Sequence, residues 1–203
     1  MMTLSERAER TASVTDARVR TLQSAYRRDV SGAVSTLAQL RRGVGTEFGH
    51  NFTLMGIALD GVNDDLTAPR AAEAEGPSPE ERAFFAALTL YATHQQSHRD
   101  KSMHQSGYSV GRSSRMLSSR YNVESTRARF TALGTAVTWD ETLHHARGLI
   151  QQLRAAGVPL DYAAFARDLF DIQTGHADRV RLRWGRAFYR TPVTDDTTET
   201  AQA

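Results

Sequence analysis

Residues 138–190 read TWDETLHHARGLIQQLRAAGVPLDYAAFARDLFDIQTGHADRVRLRWGRAFYR, and the fold class is decided there. Thr138-Trp139-Asp140-Glu141 is a capping box, with threonine at the N-cap, glutamate at N3 and acids on the positive end of the helix dipole. Leu143, Ala146, Ile150 and Leu153 follow at helical spacing. Ala156-Gly157-Val158-Pro159 reads as a glycine C-cap and a proline stop. Asp161 then caps a second helix with Tyr162, Phe165, Leu169 and Ile172 inside, and Gly175 closes it. A third helix runs from about Ala177 to Arg190 with Val180, Trp184, Ala187 and Phe188 on one face.

The same grammar extends toward the N-terminus. Asn122 caps a helix whose inner face is Val123, Phe130, Leu133 and Val137, and Ser109 or Gly107 caps one running to Ser119. The polar residues His98 to Ser106, ending at Gly107, form a linker. Ser78-Pro79-Glu80-Glu81 is another capping box, with proline at N1, opening a helix to about Ser97 whose buried stripe is Phe84, Leu88 and Tyr91. A weaker segment, 51–60, has Phe52, Met55 and Leu59 on one side. Residues 14–42 repeat Val19, Leu22, Tyr26, Val30, Val34, Leu37 and Leu40 at spacings of three and four, broken or kinked at Ser31-Gly32 and ended by Gly43 and Gly45. No segment alternates as a strand would. The expected fold is all-α, two small helical bundles joined by a short linker: an N-terminal domain, 1–107, with an exposed acidic loop at 61–77; a C-terminal bundle, 108–190; and a disordered acidic tail, 191–203.

Composition narrows the chemistry. The chain has 203 residues, 40% of them hydrophobic and 24% charged, with no cysteine. A zinc ribbon, an iron-sulfur centre, a thiol nucleophile and a disulfide scaffold are thereby excluded. The apolar runs are too short to span a bilayer, and Met1 to Arg10 is polar rather than a signal sequence, so the expected address is the cytoplasm. Net charge is only +2, yet 24 of the 25 basic residues are arginine, and they are unevenly placed. Residues 1–42 sum to +4, 60–81 to −6, 99–190 to +7 and 191–203 to −3. Such a basic body suits a polyanion, because each arginine displaces a counterion and can bind two phosphate oxygens. The competing reading places these arginines on solvated helix faces, paired with acids.

Catalytic patterns are missing. His94 and His98 stand at i,i+4 as zinc ligands can, but no glutamate lies between them, and a third ligand would have to come from His104 or the acidic loop. His144 and His145 are adjacent and diverge. Asp64-Asp65 and Glu80-Glu81 lie in a loop and a helix start, where acids serve solvation and the dipole. Gly43-Val44-Gly45 lacks the third glycine and the strand of a phosphate loop, and nothing marks Ser113, Ser114, Ser118 or Ser119 as a nucleophile. No enzyme activity, metal or cofactor is expected.

The arginines, by contrast, line up. From 101 to 139 there are six basic residues, Lys101, Arg112, Arg115, Arg120, Arg127 and Arg129, against Glu124 alone. Internal ion pairs cannot absorb that excess, so an external anion is the natural partner. Arg179, Arg183, Arg186 and Arg190 form a stripe along the last helix, opposite Trp184, which suits nucleic acid or protein contact. The aromatics fall on the apolar stripes rather than beside the arginines, against a base-stacking platform, so sequence-independent backbone binding is expected.

Arg41-Arg42-Gly43, FFAALTLYATHQQ at 84–96, Ser109-Val110-Gly111-Arg112, Leu160 to Leu169 and the arginine-rich stretch from Asp178 to Arg190 together resemble the CasB family, the small subunit of the type I-E CRISPR surveillance complex Cascade. The resemblance covers roughly 30–190. It implies an all-helical, non-catalytic subunit, present as two copies in the complex. Such a subunit contacts the other Cascade subunits and guide RNA, and stabilises the R-loop by holding target and displaced DNA strands. By position, Arg41 and Arg42 match the family's basic pair, Arg112 the arginine after the serine-x-glycine turn, and Arg127 and Arg129 lie in the following basic helix. Nucleic-acid contacts are expected from these, with Lys101, Arg115, Arg120, Arg183 and Arg186. The alternative is a helix-turn-helix regulator using 110–136, although Glu124 stands where its reading helix would meet the groove.

Overall fold

The computed structural model describes residues 2–62, 66 and 76–190. The acidic tail and most of the acidic loop lie outside them. Nine helices fill the described chain: α1 (Leu4–Arg27), α2 (Ser31–Arg42), α3 (Phe52–Leu59), α4 (Pro79–Gln95), α5 (Val110–Arg120), α6 (Val123–Thr135), α7 (Trp139–Ala156), α8 (Tyr162–Gln173) and α9 (Ala177–Tyr189). The all-α expectation holds. Among the described residues the only β pairing is an isolated parallel bridge between His104 and Leu160.

Both expected capping boxes form: Ser78 with Glu81 opens α4, and Thr138 with Glu141 opens α7. Gly157 caps α7 in the left-handed conformation at φ 62°, which a side chain would strain. Asn122 and Asp161 cap α6 and α8 as expected.

Several boundaries and faces differ from the sequence reading. The first helix begins at Leu4, not near residue 14, on a third capping box of Thr3 and Glu6. It ends at Arg27 because Asp29 turns left-handed at φ 60°, so Ser31-Gly32 begins α2 rather than breaking a longer helix. In α3 the buried side chains are Leu54 and Ala58, whereas Phe52 is 80% exposed. In α6, Val123 at the first position faces solvent and Val137 lies past the last turn; Thr126 takes the inner place beside Phe130 and Leu133.

The central element is α4. Its buried residues go round the whole helix, well beyond the expected Phe84, Leu88 and Tyr91 stripe. Ala83, Ala86, Ala87 and Ala92 let neighbours approach closely, and α1, α2, α7 and α8 pack around it. In the second group α5 packs on α9, α6 and α7. One core cluster runs through both groups, from Val19 and Leu37 to Phe165 and Phe188.

The connection between the groups is tied down at each step. Gln23 on α1 receives the His104 N–H (2.8 Å) and donates to the His104 carbonyl (3.1 Å). Gln95 accepts from Met103 N–H at 3.0 Å, and Leu160 N–H donates to Met103 O at 2.9 Å. The Tyr162 N–H donates to His104 Nδ1 (3.1 Å), so Nδ1 is an acceptor and the proton of a neutral ring sits on Nε2, facing Asp16 at 2.9 Å. Burial disfavours the Asp16 carboxylate, but hydrogen bonds from Arg20 and His104 outweigh it and hold the group below its ordinary range.

Candidate nucleic-acid interface

The arginine excess of the second half remains open in the folded chain. Lys101, Arg112, Arg115, Arg120, Arg127 and Arg129 form no ion pair among the described residues, while ten ion-pair contacts occur elsewhere. Solvated side-chain pairing therefore does not account for them, and the Lys101 ammonium and the arginine guanidinium groups retain donors for an anion.

Two groups emerge. The first lies at the C-terminal end of α7, whose carbonyls favour positive charge. Lys101 Nζ comes within 3.5 Å of the place a Cβ would take at Gly157. Arg154 bonds the Gln96 carbonyl at 3.1 Å. Arg41 and Arg42 end α2, and burial lowers Arg41's affinity for its proton, with repulsion from Arg154 and Arg42 adding to the effect. Arg154 was missed by sequence reasoning because nothing in its local pattern places it beside α2. Arg120 ends α5 just before Tyr121, whose hydroxyl donates to Ala155 O at 3.4 Å, near the same helix end.

The second group spans α5, α6 and α9. Gly111 is the reason α5 and α9 come together: a Cβ there would collide with Trp184 O and lie 3.0 Å from Phe188 N. One turn on, Arg115 donates to the carbonyl of Arg190, so the two helices run side by side in the same direction. Arg112 lies over the Tyr108 ring at 4.3 Å and donates to Gly107 O at 3.2 Å. Arg127 lies over Tyr189 at 5.9 Å, and the Arg129 guanidinium lies against Gly148 of α7. Aromatic rings thus do stand beside these arginines, contrary to the sequence expectation. The Tyr108–Arg112 pair is visible as i,i+4, but Tyr189 meets Arg127 only through tertiary packing.

The stripe on α9 is interrupted. Arg183 is drawn to α8, where it donates to Asp168 at 2.6 Å and Asp171 at 3.0 Å, while Trp184 Nε1 donates to the other Asp168 oxygen at 2.6 Å. Burial raises the Asp168 carboxyl above its ordinary range against the pull of Arg183 and Trp184. Arg186 remains exposed with no ion-pair partner among the described residues.

The histidine pair is accounted for individually. His94 is wholly buried, shares a hydrogen bond with Tyr162 Oη at 2.9 Å, and is pushed down to about 3 by loss of hydration. His98 Nε2 pairs with the Arg154 carbonyl at 2.9 Å. Ser113 and Ser114 are buried and donate to Pro159 O (2.6 Å) and Val110 O (2.8 Å). These side chains serve packing and backbone satisfaction.

The model of the CRISPR-associated protein Cse2 family matches residues 36–189. The chain belongs to the Cse2 (CasB) family. The solved structure of CasB from Thermobifida fusca is 36% identical, with a TM-score of 0.74 over 89% of this chain and 98% of that one. A Cse2-family CRISPR-associated protein from Thermus thermophilus shares the fold at 20% identity, with a TM-score of 0.62 over 90% of this chain and 97% of that one. No curated protein sequence matches the chain. Membership of the Cse2 family makes the chain a non-catalytic Cascade subunit, in place of the helix-turn-helix regulator. Among the described residues no helix is long and apolar enough to cross a membrane.

Proposed function

We propose that this Cse2-family chain clamps opened nucleic-acid strands by their phosphate backbones and so stabilises the R-loop of an RNA-guided CRISPR complex. The observation that carries this reading is the set of basic residues from Lys101 to Arg129 with no acid partner among the described residues. RNA-guided opening of a duplex is nearly balanced in free energy, so modest backbone contacts tip it. At about 1 kcal/mol per well-placed charged contact, several arginines decide whether the open state persists. Arg41, Arg42, Lys101, Arg112, Arg115, Arg120, Arg127, Arg129 and Arg186 are the proposed contacts. Arg183, held by two carboxylates, acts mainly by fixing α9 on α8. The partners are target DNA, the displaced strand, guide RNA, the other Cascade subunits and a second copy of this chain.

Reversing Arg112, Arg115, Arg127 and Arg129 to glutamate should weaken DNA retention by the assembled complex and flatten its dependence on salt, by roughly one unit of log-log slope per lost phosphate contact. Retention and slope unchanged with all four reversed would overturn the reading.

A further inference from the structure

We propose that Tyr189 is a stacking platform for one base of a single-stranded nucleic acid, with Arg127 backing the ring and Arg115 fixing the helix end that carries it. This deepens the backbone-clamp reading and rests on it. Tyr189 is the last residue of α9 and is 61% exposed, although its neighbours in the helix, Trp184 and Phe188, are buried. Its ring is held rather than loose. The Arg127 guanidinium lies over it at 5.9 Å, and Phe188 meets it edge-on at 4.8 Å and 82°. Phe188 is itself stacked on Phe130 of α6 at 4.4 Å and 14°, which anchors the pair in the core. Beyond the ring, the Arg190 carbonyl is gripped by Arg115.

An exposed aromatic ring among guanidiniums without acid partners offers two recognition chemistries side by side. The cations attract phosphate, and the open ring attracts a flat π-face. A nucleotide of a single strand presents both together. A duplex does not, because its base faces are already occupied by neighbouring bases. Stacking of this kind is indifferent to base identity, so it adds affinity for bases without adding sequence readout.

The test uses the full chain, a short oligothymidylate and an abasic strand of the same length and charge, at low salt. The expected result is tighter binding of the oligothymidylate. Tyr189→Ala should lower that affinity about tenfold and leave the abasic strand unaffected, while Tyr189→Phe should retain wild-type affinity. Equal binding of the two strands, unmoved by Tyr189→Ala, would overturn the stacking proposal and leave the backbone reading standing. Equal weakening of both strands by Tyr189→Ala would also overturn it, because the ring would then be acting on the arginines and not on a base. Failure of the wild-type chain to bind either strand would remove both.

Discussion

His94 is a titratable ring sealed between α4, α7 and α8, and its effect on stability has a definite sign. Its folded pKa is depressed to about 3 from the ordinary 6.5, so the unfolded chain binds a proton that the folded chain refuses. The contribution is fully present above the unfolded value and is lost as pH falls from 6.5 toward 3, by up to about 1.4 kcal/mol per pH unit. Urea unfolding at neutral pH and near pH 5 should therefore show a loss of about 2 kcal/mol that is missing from His94→Gln. An identical acid dependence in the variant would assign the loss to other groups. Gly111 makes a different demand on a single residue. The atoms a Cβ would meet there are backbone, Trp184 O and Phe188 N, which cannot rotate away as a side chain would. Gly111→Ala should force α5 from α9 and cost about 2 kcal/mol, read as a lowered thermal midpoint.

At the scale of helices, what was legible depended on how local the signal is. The boxes at Ser78 and Thr138 were readable because cap, glutamate and large apolar residues all fall within one helix. Ser78→Ala should cost about 1 kcal/mol in urea unfolding, since it frees the Glu81 N–H that the hydroxyl now accepts from at 3.2 Å. Thr3 and Glu6 make the same box, but the buried face behind them is Ala8, Thr11, Ala12 and Thr15, too small and too polar to register as an apolar stripe. Thr11 and Thr15 enter the interior by donating to carbonyls one turn back, at 2.9 and 2.7 Å. Val123 and Val137 failed in the opposite sense: their spacing is right, but helix ends carry them out of register with the core. The candidate interface divides the same way. The arginine excess is a property of composition, and it was visible as such. Arg183's capture by Asp168 and Tyr189's meeting with Arg127 join residues on separate helices and needed the fold.

Across the whole molecule, the segment between the helical groups decides how the basic residues are presented. Its polar composition reads as a linker, and its backbone groups are claimed by Gln23, Gln95 and Leu160. Gln23→Ala would strand the buried His104 N–H and carbonyl, and should cost about 3 kcal/mol in chemical unfolding. In amide exchange, Met103, His104 and Leu160 should be as protected as the middle of α4. Fast exchange at those three amides would mean that the segment opens as a hinge. With the segment closed, Lys101 and Arg41 at one end of α7 keep a fixed relation to Arg112 and Arg127. The protein then behaves as a splint: the backbone that carries these charges surrenders its conformational freedom when the chain folds, while the exposed side chains keep theirs. On the clamp proposed above, a strand arriving later would cost the protein only the ordering of its exposed arginine side chains, and the rest of the flexibility lost would be the strand's own.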